Sequence, residues 1–254
     1  IDNESLIKRD TIFRMYSMSK PVTAVAIMIL VERGFIDVAD PVSSYLPGFI
    51  NQHVNIDNKK LPVKRSMMIK DLLSMTSGLP YPDDSYPAGR EADQIFKQID
   101  NKLYSDEPLK TVDIANSLGE CGLSFNPGEH WMYGTSADIL GAVVEVVSGM
   151  KYSEFLKKEL FEPLGMKDTG FFVPEDKQNR LSRLYENIDG IFVELKTNNL
   201  GIAYPMDKAP GFESGGAGLA STINDYSRFA TMLINNGELE GVRILAPKTV
   251  EYLI

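Results

Sequence analysis

The sequence predicts an α+β protein in which helices dominate and sheet is scarce. Three observations lead there. Most apolar residues recur at helical spacing. Strand signals are confined to residues 170–173 and 190–195. No linker divides the 254 residues into two units, a length suited to one sizeable core. The first helix is placed near residues 17–19, because Pro21 fits only close to a helix start. It ends near Gly34 and is apolar on nearly all sides, which predicts burial. A second, short helix lies in IKDLLSMTSG and runs into Gly78; residues 81–89, with Pro82 and Pro87, read as loop. Residues 91–103 carry Ile95, Ile99 and Leu103 at four-residue spacing, an amphipathic pattern, and 112–118 gives another helix. Residues 136–147 form a strongly apolar helix closed by Gly149, and 154–160 a helix stopped by Pro163. Thr222 and Asp225 suggest a capping box for a helix reaching Asn235, with Gly237 beyond it.

Composition narrows the partners. Net charge is -9, a surface that repels nucleic acid and anionic membrane. The longest apolar run, residues 22–31, is far short of the roughly 20 residues a membrane span needs. Cys121 is the only cysteine, so no internal disulfide forms, which is compatible with a reducing compartment. The opening IDNESLIKRD has neither an initiator Met nor a signal peptide's apolar stretch, so residues upstream are expected and the compartment stays unassigned.

The chemistry candidates begin with S-x-x-K, which occurs at Ser5/Lys8, Ser17/Lys20 and Ser148/Lys151. A serine hydroxyl needs a base to become a nucleophile, and a lysine serves when its pKa falls. Three residues apart on a helical turn, the two side chains share a face. At a helix N-terminus the dipole disfavours an ammonium and offers N–H groups to an oxyanion. Of the three matches only Ser17 opens a buried helix. The plainer alternative is that Ser17 or Ser19 caps the helix and Lys20 is solvated. Tyr185, in YEN, and Tyr133, in YGT at a loop–helix junction, are candidate proton relays, though most tyrosines only pack. Other chemistries find less support. The two histidines, His53 and His130, are isolated, no G-x-S-x-G elbow is present, and no zinc-ligand spacing exists. GFESGGAGLAS lacks the phosphate-loop lysine and reads as a tight turn or as backbone beside a cleft.

Taken together, TIFRMYSMSKPVTAVAIMILVERGFIDVADPVSSYLPGF, MIKDLLSMTSGLP, NPGEHWMYGTSADILGAVVEVVSG, FEPLGMKDTGF and GGAGLASTINDYSRFATMLINNGEL resemble the serine hydrolases related to class C β-lactamases and penicillin-binding proteins. The resemblance covers almost the whole chain and implies a β-lactamase/transpeptidase-like α+β fold. It implies Ser17 as the acylated nucleophile, Lys20 as its base partner and Tyr133 as the second-motif tyrosine, and it demotes Tyr185. It implies a small-molecule or peptide acyl substrate and no cofactor or metal.

In MIKDLLSMTSGLP, Met75 stands where many members carry histidine. Two departures matter, the first being Thr135, which stands where β-lactamases often carry asparagine. Thr135 is the candidate substrate-binding residue, its hydroxyl reaching Lys20 or the substrate. The change leans toward an esterase or a D-amino-acid or DD-peptidase, with a β-lactamase or a catalytically silent binding module for peptides or cell-wall fragments as alternatives. The second departure is that the family's third motif is absent from the sequence. Residues 1–254 are therefore expected to be a single domain truncated at both ends, lacking much of the central antiparallel sheet. That expectation carries two others: poor folding of the chain alone, and apolar residues of 22–31 facing open space or another chain.

Overall fold

The computed structural model describes residues 6–253. Strand β1 (Ile12–Arg14) leads through a 3-10 turn, Tyr16–Met18, into helix α1 (Ser19–Glu32). Pro21 is the third helical residue, where its missing N–H has no intrahelical partner to lose. A hairpin follows, β2 (His53–Ile56) with β3 (Lys59–Pro62), turned by Asp57 and Asn58 at positive φ. Helices α2 (Ile69–Leu73), α3 (Pro87–Lys102), α4 (Thr111–Glu120) and α5 (Ser136–Ser148) come next. Then α6 (Tyr152–Leu156) runs through a π-helical turn, Lys157–Phe161, into α7 (Glu162–Leu164). A second hairpin, β4 (Tyr185–Ile188) with β5 (Ile191–Glu194), precedes β6 (Ala220–Thr222) and α8 (Ile223–Ile234). The short pair β7 (Glu238–Leu239) and β8 (Val242–Arg243) leads to α9 (Pro247–Leu253).

Among the described residues the sheet is limited to four two-stranded antiparallel pairs. Three of them are local hairpins. The fourth, β1 with β6, joins segments some 200 residues apart in the register Ile12↔Thr222, Phe13↔Ser221, Arg14↔Ala220. It lays the glycine-rich stretch before β6 beside the start of α1.

Several expectations shift in detail. Helix α3 begins at Pro87 rather than near residue 91, because a proline at the first helical position is pre-set in φ. Pro163 does not stop its helix, since it enters in the first turn of α7; Gly165, at φ 68, ends it. Residues 170–173 are not a strand. Gly170 makes only an isolated bridge to Ala220. Thr222 caps α8 as expected, its hydroxyl accepting from the Asp225 N–H at 3.1 Å. The reciprocal half of the box is spent elsewhere. The Asp225 carboxylate accepts from the Asp168 N–H at 2.6 Å and the Thr169 hydroxyl at 2.9 Å, fastening that loop to α8.

The largest correction concerns α1. Its apolar residues do not face open space. Val22, Val25, Ala26, Ile27, Met28, Ile29 and Leu30 are all buried in one core that includes Ile139, Leu140 and Val143 of α5 and Leu245 and Val250 at the chain's end. The reason is that α1 packs on the equally apolar α5 and on α9, while α2, α4 and α6 cover further faces of α5, so one shared core encloses both helices.

Candidate active site

Ser17 sits in the 3-10 turn just before α1, with its side chain exposed. The preceding Tyr16 has φ 45, a left-handed conformation that non-glycine residues adopt at a cost of about 1 kcal/mol or more. That kink turns the Ser17 hydroxyl outward. Ser19, by contrast, is fully buried and accepts from the Leu219 N–H at 3.1 Å, clamping the turn to the segment before β6. Neither serine caps the helix; Met18 occupies that position without a side-chain cap.

Lys20 is not a solvated surface lysine. Its Nζ donates to Ser17 Oγ at 3.2 Å, to Tyr81 Oη at 3.0 Å and to the Gly216 carbonyl at 2.9 Å. These acceptors use all three ammonium hydrogens. The third exists because backbone comes unusually close. A Cβ at Gly215 would lie 2.2 Å from the Ala137 carbonyl oxygen, and one at Gly216 would lie 2.8 Å from Asp138 Oδ2. The glycine run is backbone pressed against α5, with the Gly216 carbonyl turned to Lys20. Thr23 holds the Gly215 carbonyl at 2.7 Å.

Asp138 anchors this arrangement. It is buried, and its Oδ1 accepts from the Ser214 hydroxyl at 2.5 Å and the Gly216 N–H at 3.0 Å. Burial pushes its carboxyl up, against those hydrogen bonds and the charge of Lys20. A carboxyl whose folded pKa lies above its unfolded one holds its proton longer in the native state. Such a group opposes folding increasingly as pH climbs above about 4, the ordinary aspartate range. Asp138→Asn keeps an oxygen for both donors. Wild type is therefore expected to lose melting temperature relative to Asp138→Asn between pH 4 and 8. Thermal scans of both proteins across that range check it, and a variant that falls further behind as pH rises would contradict a burial-dominated carboxyl.

Tyr133 lies on the other side of Lys20, whose Nζ is 4.6 Å from the centre of its ring. The loop carrying it is zipped to residues 75–81. Met132 N–H donates to the Met75 carbonyl, Ser77 and Ser136 hydroxyls meet at 2.8 Å, and a Cβ at Gly134 would lie 1.9 Å from the Leu79 carbonyl oxygen. Tyr81 and Tyr133 are thereby set side by side, ring centres 5.8 Å apart. Their environments diverge. For Tyr133, burial raises the phenol, but the neighbouring Lys20 ammonium and Ser17 hydroxyl outweigh it and leave its pKa lowered. For Tyr81, deeper burial and the nearby Asp138 and Tyr133 push the phenol far up.

Thr135 does not take the place expected of it. It is fully buried at the N-cap of α5, and its hydroxyl donates to the Pro80 carbonyl at 3.3 Å. It ties the two loops together and is closed to a substrate. Tyr185 lies in the β4–β5 hairpin opposite Glu194. Ser148 ends α5 and accepts from the Met150 N–H, a turn contact. Ser5 of the first S-x-x-K match lies outside the described residues. Tyr81 carries no sequence signal, because its loop has no spacing relation to residue 17. Asp138 did carry a signal, a carboxylate in the first turn of α5 directly followed by Ile139 and Leu140 in an apolar run.

A protein-family model described as Beta-lactamase matches residues 1–253. The chain belongs to the beta-lactamase family. The family is one of serine hydrolases with esterase, carboxypeptidase and acyltransferase relatives. Esterase EstB of Burkholderia gladioli is 32% identical over 235 residues, covering 87% of this chain and 57% of EstB. A putative D-alanyl-D-alanine carboxypeptidase of Salmonella typhimurium is 30% identical over 256 residues, 95% of this chain and 55% of that protein. The solved structure of EstCE1, a hydrolase with promiscuous acyltransferase activity, superimposes with a TM-score of 0.76 at 26% identity, covering 97% of this chain and 64% of that one. The beta-lactamase-family chain described here thus spans little more than half the length of these curated relatives. Its fold is the β-lactamase/transpeptidase-like one, mostly helical with small antiparallel sheets. No helix among the described residues is long and apolar enough to cross a membrane.

Proposed function

We propose that this chain carries the nucleophile centre of a serine acyl hydrolase of the esterase or D-amino-acid/DD-peptidase type, with Ser17 as nucleophile, Lys20 as its base and Tyr133 as proton relay. The observation that carries the reading is the set of acceptors around Lys20. A neutral amine has two N–H groups and one lone pair. With Tyr81 and Gly216 taking the two N–H groups, the lone pair is left for the Ser17 proton, so the same pose serves both protonation states.

The steps follow from that geometry. The Ser17 proton passes to Lys20 as Oγ adds to the acyl carbon. The bond from acyl carbon to the leaving oxygen or nitrogen then breaks, and Tyr133 delivers a proton to the departing atom. Water repeats the sequence on the acyl-enzyme, with Tyr133 and Lys20 taking its proton and Ser17 leaving. The Ser17 N–H, at the head of α1, supplies one oxyanion donor. Divergent pKa values are the usual mark of divided acid–base roles. Here they favour Tyr133, with its lowered phenol, as the group that exchanges protons, and Tyr81, with its raised one, as a neutral acceptor holding Lys20 in place.

The test is covalent labelling of the full-length protein by a fluorophosphonate, followed by mapping of the adduct by mass spectrometry. The reading expects the adduct on the peptide containing Ser17. An unlabelled, folded protein would count against it.

A further inference from the structure

Three aromatic rings run from the pair that flanks Lys20, Tyr81 and Tyr133, out to Trp131 at the surface. Tyr81 is part-buried, Tyr133 is 44% exposed and Trp131 is 66% exposed. Successive ring centres are 5.8 Å and 6.3 Å apart, and the indole is tilted only 33° from the Tyr133 ring. The side chains before Trp131 are turned away. His130 sits edge-on to Phe125 at 5.2 Å, and Glu129 is held by Lys64 and Asn126. The flat face next along the path from Tyr133 to solvent is therefore the indole.

We infer that this staircase is the leaving-group subsite, and that its occupant is an aromatic ring carried on the alcohol of an ester. The inference rests on the acyl-hydrolase reading above. Tyr133 delivers its proton to the leaving oxygen, so that oxygen must lie against the Tyr133 hydroxyl. Whatever the oxygen carries then runs past the Tyr133 ring toward Trp131. An aryl group one or two methylenes from the oxygen reaches a face on which it stacks. A terminal carboxylate of a peptide is a poorer match. The basic side chains beside this loop, Lys64 and Arg65, are already paired with Glu129 and Asp71. In the reaction the acyl carbon–oxygen bond breaks, the Tyr133 proton goes to the arylalkyl alkoxide, and the products are the free alcohol and the Ser17 ester.

The experiment compares 2-phenylethyl acetate with ethyl acetate on the full-length protein. The ratio of their kcat/KM values is expected to favour the aryl ester, and Trp131→Ala to lower that ratio by about 2- to 10-fold, the usual range for one aromatic contact. Trp131→Phe, which keeps a ring, should retain most of it. A ratio that Trp131→Ala leaves unchanged overturns the inference. A second measurement is independent of turnover. In Ser17→Ala protein, 2-phenylethanol should quench the fluorescence of Trp131, the single tryptophan of the 254 residues, along a saturating curve that ethanol at the same concentrations does not reproduce. Absence of that quenching equally overturns the subsite. Should wild type hydrolyse neither ester, the ester-alcohol occupant is overturned, while fluorophosphonate labelling of Ser17 decides the acyl-hydrolase reading separately.

Discussion

Replacing Ser17 with alanine is expected to abolish fluorophosphonate labelling and to lower kcat/KM on p-nitrophenyl acetate by about 10⁴-fold or more, as removal of a serine nucleophile does elsewhere. The size follows from how the parts depend on one another. Without the hydroxyl, Lys20 and Tyr133 have no proton to move, and only oxyanion and binding contributions remain. Folding should be unaffected, because the Ser17 side chain is exposed and its contact is with Lys20. A melting temperature equal to wild type would separate lost chemistry from lost structure. Ser148→Ala is the control, since that hydroxyl serves a turn after α5. Labelling that persists in Ser17→Ala, or that vanishes in Ser148→Ala, would reassign the nucleophile.

The second large effect is expected at Tyr133. Tyr133→Phe keeps the ring that faces Lys20 and removes the hydroxyl alone, so the packing survives and the proton path does not. Positioned acid–base groups contribute typically about 10²–10⁴-fold, and a loss in kcat of that order is expected. The pH profile gives the sharper signature. For Tyr133 to take up the proton leaving Ser17 by way of Lys20, its phenol must first have lost its own. The lowered phenol pKa places that loss below 10, the ordinary tyrosine value. Activity should accordingly rise with pH through a window below 10. In Tyr133→Phe the rise should disappear from that window. A variant with wild-type kcat, or with its rising limb in place, would remove Tyr133 from the proton path.

Much of the fold was legible because the strongest signals are local. The apolar run of α1, the equally apolar α5 with Gly149 behind it and the Thr222 cap are each written within a single element. The burial of α1 was misjudged for the complementary reason. Its sequence shows that every face is hydrophobic but not which partners meet those faces, and those partners are α5 and the residues near α9. At the site, Lys20 donates to Ser17 Oγ and lies against the Tyr133 ring, two contacts that a spacing of three residues and a loop–helix junction made readable. Tyr81 stayed invisible because its contact with Lys20 depends on a loop pairing, 75–81 against 124–136, that has no periodicity. Thr135 was misread because its place in the motif suggested an outward hydroxyl, whereas the N-cap geometry of α5 turns it into the loop behind.

The three acceptors of Lys20 also bear on chain topology. They lie 3, 61 and 196 positions away, so nothing shorter than residues 17–216 contains them all. Loop-closure entropy grows only with the logarithm of length, about 0.6 kcal/mol per doubling. The long excursion to Gly216 is therefore not what makes the arrangement costly. The cost lies in fixing three separate backbones, and α1, α5 and the β1–β6 pair fix them through contacts of their own. The S-x-x-K spacing fills four residues, but the geometry around its lysine is complete only when the chain from the first strand to the sixth has closed on itself.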